Sequence, residues 1–117
     1  MQLIQKSDLV SEQSFFELIE ISKQIPNQLF AIFKHSTRCS ISNMALYRME
    51  KSSFFEKHNI HFHFLDILQF RPLSNLIAQK IGVEHESPQM LLIKNGVCIA
   101  HTSHSNINEN WLIENAK

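Results

Sequence analysis

The sequence contains few of the residues that interrupt regular structure, and its charges are balanced. Its 117 residues include only two glycines, three prolines and two cysteines. Two cysteines are too few for a secreted disulfide scaffold, so we expect both to be thiols at rest in a reducing compartment. Lysine plus arginine number 11 and aspartate plus glutamate number 11, so the formal net charge is zero. A neutral chain lacks the basic field that favours binding to nucleic acid.

Long apolar runs are also missing. No stretch approaches the roughly 20 apolar residues of a membrane-spanning helix. The first ten residues, MQLIQKSDLV, lack the long apolar region that is typical of a secretory signal. We therefore expect a cytoplasmic protein with no membrane partner. The length suits one domain, which we expect to cover residues 1–117.

The first part of the chain predicts the order helix, strand, helix, strand. Apolar residues at helical spacing after Ser11 predict the first helix. The continuous apolar run LFAIF at 29–33 is typical of a central parallel strand that is covered on both faces. A second helix is expected over 41–51. The alternation of histidine and phenylalanine at 61–64 then predicts a second strand.

The second part predicts a helix, an antiparallel hairpin and a last helix. Pro72 and Gly82 bracket the helix, because proline favours the first turn and glycine the position just past the end. Asn95-Gly96 between two apolar runs predicts a tight hairpin. A capping-box pattern at 106–109 predicts the last helix. With a right-handed crossover between the first two strands, the order predicts an α/β, thioredoxin-like fold, a four-stranded mixed sheet with helices on both faces.

Cys39 is the candidate reactive residue. It lies between a buried strand and the first turn of a helix, where unpaired N–H groups carry partial positive charge. Arg38 and Lys34 add positive charge, so we expect the thiolate, the nucleophile in disulfide exchange, to be stabilised. Ser42 stands where a dithiol protein has its second cysteine, and its hydroxyl can donate a hydrogen bond to the thiolate. A lone cysteine is more often a small buried hydrophobe, and the motif C-x-x-S is weak by itself. The flanking strand, helix and basic residues favour reactivity.

Cys98 is not expected to resolve a disulfide at Cys39. It follows the predicted hairpin turn, so at ~3.3 Å per residue it lies roughly 15–20 Å from Cys39. A disulfide requires Cα atoms within about 7 Å of each other. The same strand returns His101 towards the active-site end, followed by His104, which we take as a candidate substrate-binding residue. A structural or surface role is the alternative for either histidine.

The seven histidines raise the question of a metal site. His61 and His63 share one strand face, and His58 is near in sequence. No H-E-x-x-H motif occurs, and no two cysteines are close enough for a zinc knuckle. We therefore expect neither a metal site nor a bound cofactor.

The segment FKHSTRCSIS at 33–42 resembles the signature of the YtxJ family, the monothiol bacilliredoxins of the bacillithiol system. The segments HESPQ at 85–89 and HTSH at 101–104 resemble the same family. The resemblance implies a thioredoxin-like fold with Cys39 as the catalytic residue. It also implies that Pro88 is the cis proline facing that cysteine. Ser40 departs from the pattern, where we expect proline.

Further residues of these segments are candidates for the same site. We predict that Thr37, like Arg38, is a residue that supports Cys39. Ser87 precedes the implied cis proline. We predict that Ser87, Pro88 and His104 bind the substrate.

The resemblance implies a monothiol oxidoreductase that removes bacillithiol from protein mixed disulfides through Cys39. Bacillithiol is then a co-substrate. The implied partners are S-thiolated proteins, a low-molecular-weight thiol, and a thioredoxin-type or flavin disulfide reductase for recycling. Two alternatives stay open at this point. One is the same chemistry with glutathione or coenzyme A, and the other is a non-catalytic thioredoxin-fold binding module or a redox sensor modified at Cys39.

Overall fold

The computed structural model describes residues 6–52 and 54–116, which form one sheet with helices on both faces. Along the chain the elements are β1 (Lys6–Asp8), α1 (Glu12–Gln24), β2 (Leu29–His35), α2 (Ser40–Lys51), α3 (Phe54–Lys57), β3 (Ile60–Asp66), α4 (Arg71–Ile81), β4 (Gln89–Lys94), β5 (Val97–Ser103), a 3₁₀ segment (His104–Asn106) and α5 (Glu109–Asn115). None of the helices in these described residues is long and apolar enough to cross a membrane.

The strand order in the sheet is β1-β3-β2-β4-β5. Strands β1, β3 and β2 are parallel, and β4 is antiparallel to both β2 and β5. The thioredoxin-like arrangement of the four expected strands is confirmed. β1 is a fifth strand that the sequence did not predict, because three residues are too short to show a hydrophobic period.

Two apolar cores lie on the two faces of the sheet, and the central strand β2 contributes side chains to both. Ala31 and Phe33 pack with residues of α2, α3 and α5 on one face, and Phe30 and Ile32 pack with residues of α1 and α4 on the other. All seven residues of β2 are buried, as expected for a covered central strand. Because successive side chains of a strand point to opposite faces, the position of each polar residue along β2 determines whether its side chain faces α2.

The local signals of the second part are confirmed with one shift. Pro72 lies in the first turn of α4, and Gly82 ends that helix with φ 73°. Asn95 and Gly96 have φ values of 53° and 80°, the left-handed conformations that a two-residue type I′ hairpin turn requires. The expected cap at 106–109 is wrong by two positions. Asn108 caps α5, and its side chain accepts from the Trp111 N–H at 2.9 Å.

The register places the end of β2 beside the start of β4. Lys34 pairs with Gln89, so Pro88 lies next to the end of β2 and the loop that leads to Cys39. On its other side β2 runs parallel to β3, and His35 pairs with Asp66. The candidate site therefore lies at the carboxyl ends of the parallel strands, where ligands of open α/β sheets bind.

Candidate active site

Cys39 is the residue immediately before α2, with extended backbone angles of φ −107° and ψ 121°. Its N–H donates to the Ser36 carbonyl at 3.1 Å, and its own carbonyl accepts from the Asn43 N–H at 3.0 Å. The Asn43 side chain donates to the Thr37 carbonyl at 3.1 Å and so braces the loop. The Cys39 thiol is partly exposed and not in a disulfide. A nucleophile here is held at a helix start and remains within reach of a partner.

Ser42 is fully buried, and its hydroxyl is engaged on the inner side of α2. Its oxygen lies 2.6 Å from Nδ1 of His35 and accepts from the Ser36 N–H at 3.0 Å. A hydroxyl has one proton, and with Ser36 donating to the oxygen that proton is available to His35. The predicted hydrogen bond from Ser42 to the Cys39 thiolate is therefore not the one that the structure shows. Ser42 instead fixes His35 and the loop that carries Cys39.

His35 is a residue of the candidate site that the sequence patterns did not single out. It is the last residue of β2 and only 7% exposed. Its ring stacks on Phe33 with centroids 5.5 Å apart and lies edge-on to Phe64 at 6.1 Å. Its carbonyl accepts from the Ile67 N–H at 3.1 Å. The available signal was the alternation along β2, which puts His35 on the same face as Phe33 and hence under α2.

Lys34 does not support Cys39 in the way the sequence predicted. It alternates with His35 and so faces α4, on the opposite side of the sheet from α2, where it is fully buried. Its ammonium donates to the Ser74 carbonyl at 3.2 Å and lies 3.4 Å from Nδ1 of His85. Burial, together with the nearby charge of Arg71, lowers the pKa of Lys34 to about 8. Arg38 and Thr37, by contrast, are exposed beside Cys39 in the loop.

The candidate substrate-binding residues Ser87, Pro88 and His104 come together in the structure. The Ser87–Pro88 peptide bond is cis, and the Pro88 carbonyl accepts from the His104 N–H at 3.0 Å. His104 Nε2 lies 3.5 Å from a Glu86 carboxylate oxygen. His104 is thereby bound both to the backbone and to the side chain of the proline loop.

Arg48 connects this loop region to α2. Its Nη2 donates to the His104 carbonyl at 3.2 Å, and its Nε donates to the Ile107 carbonyl at 3.0 Å. Sequence reasoning missed both Arg48 and Glu86, because their partners lie far along the chain or depend on the fold of the proline loop. No pattern in adjacent residues indicates such contacts.

Cys98 lies at the other end of the sheet. It pairs with Ile93, which pairs with Phe30 near the start of β2. Its thiol is half-buried and donates to the Ala100 carbonyl at 3.4 Å. Burial raises the pKa of the Cys98 thiol. This register agrees with the large separation from Cys39 that the hairpin predicted.

The histidines of β3 contact aromatic residues. His61 lies edge-on to Phe30 with centroids 4.7 Å apart, and His63 stacks on the same ring at 6.2 Å. Burial, with a smaller contribution from His61, lowers the pKa of His63 to about 4. Within residues 6–52 and 54–116, no three histidine, cysteine, aspartate or glutamate side chains gather as a metal site would require.

The family model for the monothiol bacilliredoxin BrxC matches residues 8–112. The chain belongs to the monothiol bacilliredoxin family. The match covers nearly the whole chain and confirms the resemblance of the FKHSTRCSIS segment. Together with the fold, this bacilliredoxin membership supports a thiol redox role for the protein, with Cys39 as the thiol at its candidate site.

Solved structures agree with the fold of this bacilliredoxin. A proposed oxidoreductase with a thioredoxin fold is 31% identical over 97% of this chain and 95% of its own, with a TM-score of 0.82. A thioredoxin from Nicotiana alata is 19% identical over 100% of this chain and 97% of its own, with a TM-score of 0.74. A thioredoxin from Malassezia sympodialis is 18% identical over 100% of this chain and 98% of its own, with a TM-score of 0.70. The two thioredoxins show likeness of fold alone.

Proposed function

We propose that this protein is a monothiol thiol–disulfide oxidoreductase that removes bacillithiol from protein mixed disulfides through Cys39. One observation carries the proposal. Cys39 is a partly exposed thiol at the start of α2, and the residue three positions later, Ser42, binds His35 and cannot form a disulfide. Chemistry at such a site has to proceed through a mixed disulfide with a second molecule.

In the first exchange the Cys39 thiolate attacks the bacillithiol sulfur of the mixed disulfide. A bond forms between Cys39 and that sulfur, and the bond between bacillithiol and the substrate protein breaks. The protein sulfur leaves as a thiolate and takes a proton from water. The substrate thiol is thus restored, and Cys39 carries bacillithiol.

In the second exchange a free bacillithiol thiolate attacks the bacillithiol sulfur of the adduct. Bacillithiol disulfide forms, and Cys39 leaves as a thiolate ready for another cycle. A thioredoxin-type or flavin disulfide reductase is the proposed source of electrons that returns bacillithiol disulfide to the thiol. Bacillithiol is therefore a co-substrate that enters and leaves. The cytoplasm is the proposed location, because the cycle requires a reducing thiol pool.

An exposed apolar surface on α2 lies beside Cys39, where a protein partner can bind. Ile41, Met44 and Tyr47 follow one another along α2, and each side chain is exposed by more than half. Exposed apolar groups grouped on one surface mark contact sites. An S-thiolated protein that brings its mixed disulfide to Cys39 must come close to the start of this helix. We propose that these three side chains contact the substrate protein during the exchange.

The decisive experiment starts from a protein substrate that carries one bacillithiol mixed disulfide. The mass of the intact substrate protein measures the release of bacillithiol. Release is expected with the wild-type protein and with Cys98→Ser, but not with Cys39→Ser. A Cys39→Ser protein that still releases bacillithiol would contradict the proposal.

Substrates carrying glutathione or coenzyme A separate the small thiols. A preference of the wild-type protein for the bacillithiol substrate is expected. If Cys39 takes up bacillithiol but the adduct never turns over, the protein is a redox sensor and the proposed enzymatic cycle is wrong.

A further inference from the structure

A cluster of polar groups lies where β2, α4 and the proline loop meet, the loop being residues 84–88 ahead of β4. Its centre is Lys34, which is fully buried. The Lys34 ammonium donates to the Ser74 carbonyl at 3.2 Å and lies 3.4 Å from Nδ1 of His85. The Ser74 hydroxyl lies 2.9 Å from the same His85 nitrogen. One side chain of β2 therefore contacts both α4 and the proline loop.

The surroundings of the Lys34 ammonium disfavour a positive charge. Burial removes it from water, and Arg71 adds a like charge nearby. Ser74 belongs to the first turn of α4, where the helix dipole is positive. Within residues 6–52 and 54–116, no carboxylate forms an ion pair with Lys34. Residues that break a local rule in this way occur mainly at functional sites, so Lys34 points to a role besides packing.

His85 offers this ammonium an acceptor. Burial, and then the charges of Lys34 and Arg71, lower the pKa of His85, which favours the neutral imidazole. A neutral imidazole that carries its proton on Nε2 has a lone pair on Nδ1. The two donors around Nδ1, the Lys34 ammonium and the Ser74 hydroxyl, favour that tautomer. Lys34 thus holds His85 by a hydrogen bond rather than by charge attraction.

The contacts of Lys34 act on the loop that carries Pro88. Gln89, directly after Pro88, is the cross-strand neighbour of Lys34 and is buried as well. Its Nε2 donates to the Glu84 carbonyl at 2.9 Å and so closes the loop. His85 follows Glu84, so Lys34 holds the beginning of the loop with its side chain, while strand pairing holds the end.

The proline loop and Cys39 flank the same end of β2. Pro88 precedes the residue that pairs with Lys34, and Cys39 is bonded back towards β2 through the Ser36 carbonyl. On its other side the loop is bound by the His104 N–H, which donates to the Pro88 carbonyl at 3.0 Å. A displaced loop would therefore change the space in which a protein reaches the thiol.

We propose that Lys34 is a positioning residue for protein substrates, which holds His85 and thereby the proline loop beside Cys39. This role rests on the proposed exchange at Cys39 and adds a residue that acts on it from the α4 face of the sheet. A substrate protein has to contact Ser87 and Pro88, the predicted substrate-binding residues, whereas a small disulfide needs only the thiol. Loss of the Lys34 contact should slow the first reaction and spare the second.

Kinetics with two substrates test this role in a Cys98→Ser background. One substrate is a protein that carries a bacillithiol mixed disulfide, and the other is 4,4′-dithiodipyridine. Lys34→Met and His85→Leu should each lower kcat/KM for the protein substrate about 10-fold, because small displacements in a site have large effects on rate. The rate with dithiodipyridine should stay unchanged. His85→Asn keeps a polar group at the place of Nδ1 and should restore most of the activity.

Two comparisons separate the contact from other effects of the substitutions. Lys80→Met removes an exposed lysine of α4 and should change neither rate. His85→Leu retains the Lys34 charge, so a loss in Lys34→Met alone would show that the charge acts and not the contact. That result would overturn the proposal, as would an equal slowing of both substrates or an unchanged rate with the protein substrate in both variants.

Amide hydrogen exchange separates this role from the proposed function. The His104 N–H donates to the Pro88 carbonyl, so its protection reports the position of the loop without any substrate. In Lys34→Met it should exchange at least about 10-fold faster, as expected for local opening, while the Asn43 N–H, bonded to the Cys39 carbonyl, keeps its rate. His85→Leu, at a half-buried position, repeats the measurement if Lys34→Met does not fold.

The two readouts have distinct outcomes. If His104 loses protection in these variants but the wild-type protein releases no bacillithiol, the proposed function fails and the holding of the loop by Lys34 stands. If bacillithiol is released and neither variant changes the exchange of His104, the proposed function stands and the role of Lys34 is overturned.

Discussion

The two cysteines lie at opposite ends of one sheet and meet different surroundings. Cys39 precedes α2 in a loop at the carboxyl end of β2, partly exposed beside Arg38. Cys98 lies in β5 near the hairpin turn, where burial raises the pKa of its thiol. The same residue type is thus a candidate nucleophile at one end and a packing residue at the other. What differs is the position in the fold, and each prediction below tests one part of that difference.

The first prediction concerns the relative reactivity of the two thiols. At neutral pH, iodoacetamide should alkylate Cys39 at least about 10-fold faster than Cys98, because the thiolate is the reacting species and burial disfavours it at Cys98. Mass spectrometry of the two cysteine peptides at timed quenches measures both rates in one sample. Similar rates in the folded protein would remove the distinction between the two ends. Unfolding in denaturant is the control, and it should bring the rates together.

The second prediction concerns Lys34, the buried cation on the α4 face. Its pKa is about 8 in the folded protein against 10.5 in a free side chain, so the unfolded chain binds more protons between these values. Because of Lys34, the free energy of unfolding therefore increases as pH rises from about 8 to 10.5. This increase is lost again as pH falls back to about 8. At about 1.4 kcal/mol per pKa unit the total is about 3 kcal/mol.

Denaturant unfolding of Lys34→Met and of the wild-type protein at several pH values measures this contribution as a difference. The stability of the variant should rise less with pH over that interval. Lys80→Met, which removes an exposed lysine of α4, is the matched control. Parallel pH profiles for the wild-type protein and Lys34→Met would show that burial does not perturb this ammonium.

A third prediction concerns the buried hydrogen bonds beneath Cys39. Ser42→Ala leaves Nδ1 of His35 and the Ser36 N–H without the hydroxyl that they contact at 2.6 and 3.0 Å. Losing the partner of a buried polar group costs about 1–3 kcal/mol. Denaturant unfolding should show this loss for Ser42→Ala, whereas Ser40→Ala, at an exposed position of the same helix, should change stability little. Equal effects of the two substitutions would mean that the Ser42 contacts contribute nothing.

The smallest expected effect is at the ion pair between His104 and Glu86. Its atoms are 3.5 Å apart, and both side chains are nearly half exposed. Exposed pairs of this kind contribute about 0–1 kcal/mol. Glu86→Gln should therefore lower the thermal midpoint only slightly. A loss as large as that of Ser42→Ala would show that the Pro88 loop depends on this contact.

The sequence by itself determined the fold class and the place of Cys39. These follow from local signals, namely the apolar run at 29–33, the alternation at 61–64, the hairpin turn Asn95-Gly96 and the helix that opens after Cys39. Each signal is read from a few adjacent residues whose periodicity or backbone preference is intrinsic. The separation of Cys98 from Cys39 follows as well, because strand length and turn position are themselves local.

Only the tertiary structure decided what surrounds that cysteine. The sequence placed Lys34 near the thiol and missed the contact of Ser42 with His35, since both depend on which face of β2 lies under α2. Arg48 bonds the backbone of residues more than 50 positions away. Such contacts are fixed by how elements pack across the sheet. No short stretch of sequence contains both partners, which is why the fold could be predicted and the interior of the site could not.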